Sequence, residues 1–269
     1  MLEELFGTNK PVIGVVHLLP LPGSPRWDGQ MEPIFQRAEQ EAMALATGGV
    51  NGIMVENFFD APFTGNRVDA ATSSALALAV RRIMNVSDLP VGVNVLRNDG
   101  LTALAIACVT GAQFIRVNVL SGAMVTDQGL LQGIAHELHL YRRQLGLTHV
   151  KVLADVMVKH ASPLGAQADI KVAAQDTVYR ALADAVIVSG RQTGAPPDAA
   201  ELSQVREALP STPIFVGSGA SRENIASLLR TADGVIVASS LKRQGLLENP
   251  IDVERVRAFV SSVSAAATA

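Results

Sequence analysis

Polar side chains sit at or just past the ends of short apolar runs at His17, Glu56, Asn94, Arg116, Asn118, Asp155 and Lys159. A carboxylate inside an apolar segment is costly unless a cation or hydrogen-bond donors meet it. Asp155 therefore needs a partner, and Arg116 and Lys159, on or beside the neighbouring strand, are the natural ones. Arg116 and Asn118 are two apart, and Asp155 and Lys159 four apart, so each pair shares a face of an extended strand. As chemistry, Glu56 or Asp155 suits a general base, Lys159 an acid or Schiff-base former, and His17 a proton shuttle. The competing use is structural, a satisfied polar network that holds strands in register. No pair has a spacing diagnostic of one reaction, so the set indicates a ligand site without naming a reaction.

A second group is small. Ile214–Phe215–Val216–Gly217–Ser218–Gly219–Ala220–Ser221 reads as a strand opening through a glycine turn into a helix, and Val235–Lys242 repeats the idea with Ser239 and Ser240. Glycines let backbone N–H groups approach an anion, serine hydroxyls add donors, and a helix N-terminus adds a favourable dipole. Gly217, Ser218, Gly219, Ser239 and Ser240 are thus candidate phosphate ligands, with Asn94, Arg116 and Asn118 as further ligand contacts. Small residues that merely permit tight turns are the alternative. No metal is indicated: His136 and His139 are three apart on a helix but lack a third ligand nearby, and a His17–Glu56–Asp155 set is only conceivable. Cys108, in the apolar run Leu104–Val109, reads as a buried small hydrophobe. No cofactor can be named.

The elements that must position these residues recur about every thirty residues. Runs rich in Val and Ile occupy Val12–Leu18, Gly52–Asn57, Val91–Leu96, Phe114–Leu120, Val150–Val158, Ala185–Gly190, Ile214–Gly219 and Gly234–Ser240, each followed by a helix-like stretch. Eight such units in 269 residues are the layout of a (β/α)₈ TIM barrel, so residues 1–269 are expected to form one α/β domain with its site at the strand C-terminal face. A doubly wound open sheet would usually show a Gly-rich fingerprint after its first strand. Here that strand runs into Leu19–Pro20–Leu21–Pro22–Gly23, which cannot offer a row of N–H groups.

In the first connection, Ile34, Ala38, Ala42, Leu45 and Ala46 form one stripe, with Arg37, Glu39, Gln40 and Glu41 largely off it. In the fifth, Ile170, Val172, Ala173, Val178 and Leu182 form another after Asp169, an N-cap. The last helix starts near Asp252, and Ser261–Ala269 is expected to fray. The long loops are Pro20–Gly29, Asn57–Asp69 and Gly190–Asp198, all on the site face; within the last, Gly190–Gly194 reads as a turn. Phe58, Phe59 and Phe63 suggest a lid, a dimer contact or a partner surface, or else a fold-back over the barrel mouth.

Hydrophobic residues make up 48% and charged residues 17%, enough for a large core and a mild surface that points to homo-oligomerisation. Net charge is −3, no basic run occurs and aromatics are 4%, which argues against nucleic-acid binding. One cysteine, no apolar leader and no apolar stretch of about 20 residues lead us to expect a soluble or peripheral protein in a reducing compartment.

Val12–Ile13–Gly14–Val15–Val16–His17–Leu18–Leu19–Pro20–Leu21–Pro22–Gly23–Ser24 resembles the opening of the BtpA family, also called the BtpA/SgcQ family. Gly52–Phe58, Gly92–Asn98, Phe114–Asn118, Ala154–His160 and Val216–Gly219 are similar to the same family, so the resemblance spans essentially the whole chain. Asn57–Phe63 and Ser240–Gly245 look most like the branch of oxygenic phototrophs. That resemblance implies a photosystem I biogenesis factor, peripheral on the cytoplasmic side of the thylakoid membrane, whose partners are photosystem I core proteins or their assembly machinery. The family also has relatives in non-photosynthetic microbes, some linked to carbohydrate metabolism. An enzyme acting on a small phosphorylated or anionic, carbohydrate-related metabolite is therefore the second expectation. The resemblance brings no catalytic residues with it.

Overall fold

The computed structural model describes residues 1–65, 67–164, 169–190 and 194–267. Its strands are β1 (Val12–His17), β2 (Gly52–Glu56), β3 (Val91–Asn94), β4 (Phe114–Val117), β5 (Ala123–Thr126), β6 (Gly129–Gln132), β7 (Lys151–Val156), β8 (Ala161–Pro163), β9 (Ala185–Val188), β10 (Ile214–Val216) and β11 (Gly234–Val237). Its helices are α1 (Leu2–Phe6), α2 (Glu32–Gly48), α3 (Ala70–Val86), α4 (Gly100–Thr110), α5 (Ala135–Gln144), α6 (Ile170–Gln175), α7 (Ala199–Ala208), α8 (Ile225–Leu228) and α9 (Val253–Ala267). Eight strands pair in parallel and close in the order β1-β11-β10-β9-β7-β4-β3-β2, so the barrel is complete.

Period two along each strand decides what lies inside. Ile13 and Val15 in β1, Met54 in β2, Phe114 in β4, Leu153 in β7, Ala185 and Ile187 in β9, Phe215 in β10 and Ile236 in β11 form the apolar interior. The alternate residues, such as Val16, Val55, Val152 and Val186, pack outward against the helices in a larger cluster. Moving two residues toward the C-terminal end of these same strands changes the chemistry. Val15 is followed by His17, Met54 by Glu56, Phe114 by Arg116, Leu153 by Asp155 and Ile187 by Ser189. The barrel is thus apolar below and polar at its upper rim, and β1, β2 and β3 hold His17, Glu56 and Asn94 in direct register.

The lower end is closed by α1, a helix that the sequence reading did not anticipate. Leu2 and Phe6 enter the interior cluster, and the Phe6 ring meets Phe114 edge-on at 5.4 Å and Phe215 at 6.3 Å. Also unexpected is a three-stranded antiparallel sheet, β6-β5-β8, built from segments after β4 and β7 on the site face.

Several helical expectations need correction. Glu41 is buried on α2 because Lys242 meets it at 2.7 Å. Asp169 does cap α6 by accepting from the Lys171 N–H, but Val172 and Leu182 are exposed. A π-helical turn at Asp176–Arg180 adds a residue to the turn and shifts the inward stripe to Ile170, Ala174 and Thr177. Cys108 is exposed, because α4 buries the face carrying Ala103, Leu104, Ile106 and Ala107 and turns Cys108 and Val109 outward. Helix α9 continues to Ala267, so Ser261–Ala267 does not fray, and Thr268–Ala269 lie outside the described residues. Of the Gly190–Gly194 turn, Arg191–Thr193 likewise lie outside them.

Candidate functional site at the barrel mouth

Arg116 is the hub of the upper rim. Its Nε and Nη2 donate to Asp155 Oδ2 and Oδ1 at 3.0 and 2.9 Å, a two-pronged contact, while Nη1 donates to Glu56 Oε1 at 3.1 Å. Glu56 Oε1 also accepts from Asn94 Nδ2 at 3.1 Å, and Asp155 Oδ2 from Asn118 Nδ2 at 2.8 Å. All five side chains are buried. Burial opposes the Arg116 charge, yet Asp155 and Glu56 outweigh it and hold its pKa above the ordinary arginine value. The guanidinium is therefore permanently charged, its fork matched to a carboxylate.

His17 lies beside this network with Nε2 3.7 Å from Glu56 Oε2, too far for a hydrogen bond. Phe58 stacks on its ring with centroids 4.3 Å apart, and Phe59 packs edge-on against Phe58. The aromatic loop thus folds back over the mouth. Burial above all, then the charges of Lys242, Lys159 and Arg116, push the His17 pKa well below its usual value. An unfolded chain takes up this proton as pH falls through about 6.5, while the folded chain does not. The unfolded state then binds more protons, so stability falls with acid by about 1.4 kcal/mol per pH unit below that point, until the folded pKa is reached. His17→Gln should remove this slope in urea unfolding measured between about pH 6.5 and 5; an unchanged slope would mean that folded His17 protonates freely.

Lys159 does not extend β7, which ends at Val156; it follows a turn in which Met157 has φ 51°. The even-spacing argument that placed it on the Asp155 face therefore fails, but the turn still brings Lys159 to the mouth. It lines a cavity of about 580 Å³ together with Phe58, Asn94, Arg116 and Asn118. Burial lowers its pKa first and Arg116 adds to this, against an upward pull from Glu56 and Asp155. Among the described residues no carboxylate lies within ion-pair distance of Lys159.

A narrower recess of about 40 Å³ joins His17, Glu56, Arg116 and Lys159 to Gly217–Ala220 and to Ala238 and Ser239. Gly219 has φ 71°, and a Cβ there would lie 2.0 Å from the Pro196 nitrogen, so only glycine fits. The serines are used differently from expectation. Ser218 Oγ donates to the Ala195 carbonyl at 3.0 Å and Ser240 Oγ to that of Ala220, so both hydroxyls tie loops together. The helices that follow are single turns, Ile225–Leu228 and Ser239–Leu241, too short to supply the expected dipole. What remains for an anion is backbone. Among the described residues none accepts from the N–H groups of Gly219, Ala220, Ser239 or Ser240.

Sequence reading missed Arg97, Asp60 and Ser189, and noted Asn57 only as the polar end of the second strand. Arg97 is buried and its Nη2 donates to the Lys159 carbonyl at 2.6 Å, fixing the turn that carries Lys159. Asn57 and Asp60 brace the aromatic loop: Asn57 Nδ2 donates to Asp60 Oδ2 at 2.9 Å, and the Leu21 N–H donates to Asp60 Oδ1 at 2.7 Å. Ser189 was legible, being two residues past the inward Ile187. Among the described residues no three His, Cys, Asp or Glu side chains converge as metal ligands, and His139 Nε2 lies 2.8 Å from the Ala181 carbonyl.

Comparison with known proteins bears on this arrangement. The chain is 56% identical over 263 residues to "Photosystem I biogenesis protein BtpA" of Synechocystis sp., covering 98% of this chain and 91% of that one. It is 47% identical over 252 residues to an uncharacterized protein of Thermococcus kodakarensis, covering 94% of each. Among solved structures, N-(5'-phosphoribosyl)anthranilate isomerase from Pyrococcus furiosus superposes with a TM-score of 0.58 at 16% identity, over 95% of this chain and 99% of that chain. At that identity the likeness concerns the barrel alone. With the BtpA family model matching residues 8–265, and with these near full-length relatives, the chain belongs to the BtpA family.

Proposed function

We propose that this protein is a photosystem I biogenesis or stability factor, acting on photosystem I core proteins or their assembly machinery. The observation that carries this reading is the 56% identity, over nearly the whole chain, to the Synechocystis protein named for that role. Its place is the cytoplasmic face of the thylakoid, as a peripheral protein. Among the described residues no helix is long and apolar enough to cross a membrane, so attachment goes through partner or lipid contact. Deleting the gene in a phototroph should lower photosystem I core proteins while leaving photosystem II in place. Normal photosystem I levels in the deletion strain would refute the role, and failure of a salt wash to release the protein would refute peripheral attachment.

A second reading concerns the barrel itself, which acts on or senses a small phosphorylated or anionic metabolite. The buried Glu56–Arg116–Asp155 network supports it, beside a Lys159 with no carboxylate at ion-pair distance among the described residues, since a mere scaffold has little need of such costly groups. The resemblance of the chain to a family with relatives in non-photosynthetic microbes favours a molecular activity beyond the assembly role. The two readings are compatible, with ligand occupancy of the mouth controlling the partner surface.

A further inference from the structure

The two asparagines of the rim are half satisfied. Asn94 Nδ2 donates to Glu56 Oε1 and Asn118 Nδ2 to Asp155 Oδ2, at 3.1 and 2.8 Å. Carboxylate oxygens bonded by arginine can only accept, so turning either amide over would set oxygen against oxygen. The carbonyl ends are thereby fixed as the ends left over. Among the described residues, buried Asn94 Oδ1 and Asn118 Oδ1 have no hydrogen-bond partner, and the same holds for His17 Nδ1 and Ser189 Oγ. Native interiors retain few such atoms, and several at one opening mark a place where something else supplies the partners. Both asparagines line the mouth cavity and His17 lines the recess beneath it, while Ser189 lines an adjoining cavity that shares Lys159. Gly217 keeps this corner open, since a Cβ there would lie 2.5 Å from Ser189 Oγ.

What is missing at the asparagines is hydrogen-bond donors, while Lys159 and the amides of Gly219, Ala220 and Ser239, unmet among the described residues, call for negative charge. An amine could supply donors but would add a cation beside Arg97, Arg116 and Lys159. Inorganic phosphate could supply charge but leaves the carbonyl ends unmet. Only a ligand that is anionic at one end and hydroxylated along its length satisfies both.

We propose that the barrel mouth binds a phosphate monoester of a small polyol or open-chain sugar. Its hydroxyls donate to Asn94 Oδ1 and Asn118 Oδ1 and meet His17 Nδ1 and Ser189 Oγ, and its phosphate lies against the Gly219, Ala220 and Ser239 amides beside Lys159. This inference rests on the small-anion reading of the mouth above and adds the class of molecule.

Calorimetric titration of the full chain tests it with matched probes. Erythritol phosphate and ribitol phosphate are compared with n-butyl and n-pentyl phosphate, which keep the phosphate and carbon chain but lack hydroxyls, and with inorganic phosphate. At least one polyol ester should bind about tenfold or more tightly than its alkyl counterpart, because the site's unpaired acceptors discriminate against a ligand lacking donors. Asn94→Ala should erase most of that advantage, lowering polyol ester affinity well beyond any loss it causes for the alkyl ester. Should Asn94→Ala fail to fold, Ser189→Ala, which breaks no protein hydrogen bond, should lower polyol ester affinity severalfold on its own. Equal affinity for polyol and alkyl esters would overturn hydroxyl recognition and leave the small-anion reading standing, the orphaned atoms then being met by water alone. No binding of any phosphate would overturn the proposal and, with it, the phosphorylated-metabolite form of that reading.

Discussion

Arg116→Met will destabilise the fold by about 3–5 kcal/mol, as measured by urea unfolding, because it strands two buried carboxylates without their cation. The guanidinium supplies three of the donors on which Asp155 and Glu56 rest. Arg116→Lys will not restore the loss, since an ammonium is a point charge that cannot span both Asp155 oxygens and reach Glu56 from one position. Ligand affinity at the mouth should fall with it, as Arg116 no longer fixes the carboxylates that orient the Asn94 and Asn118 amides. A loss under about 1 kcal/mol would mean that water in the mouth cavity takes over the solvation of the two stranded carboxylates.

The second large effect lies outside the barrel. Lys242 is fully buried, and its Nζ donates to both oxygens of Glu41, at 2.7 and 2.9 Å. Lys242→Met leaves Glu41 in the core with only Arg37 Nε, 3.2 Å away and itself partly exposed, as counter-charge. The expected cost is about 3 kcal/mol, at the low end for breaking a buried pair because Arg37 remains. Adding Glu41→Leu should recover most of that loss, since an apolar pair of similar volume often replaces a buried ion pair without penalty. If the double variant is as unstable as the single one, packing rather than stranded charge is responsible. Function is tied to this pair as well. Lys242 pins the segment after β11 onto α2, and so sets where Ala238 and Ser239 line the recess.

The contrast between Arg116 and Lys242 shows what could be read from the chain. Arg116 interrupts an apolar strand, and a polar residue two positions beyond an inward Phe114 must project to the same interior. The same parity places His17, Glu56 and Asp155, and covers Ser189, which was overlooked. Lys242 and Glu41 are 201 residues apart, and each looks like a surface residue in its own segment. Lys159 shows the converse, since the strand argument that picked it was wrong yet the residue reaches the mouth through a left-handed turn at Met157. Cys108 was misplaced because α4 is apolar on nearly every side, so no periodicity says which face turns inward.

Local periodicity determined that this chain is eight β/α units and which end of each strand carries polar groups, because period two and period 3.6 are properties of the backbone. Tertiary structure alone decided the rest. Closure of the ring brought Asp155 and Glu56 onto opposite arms of one guanidinium, set α1 under the barrel, and left the Asn94 and Asn118 carbonyl oxygens unmet. Such outcomes depend on distances between segments far apart in the chain, and no local pattern encodes those distances.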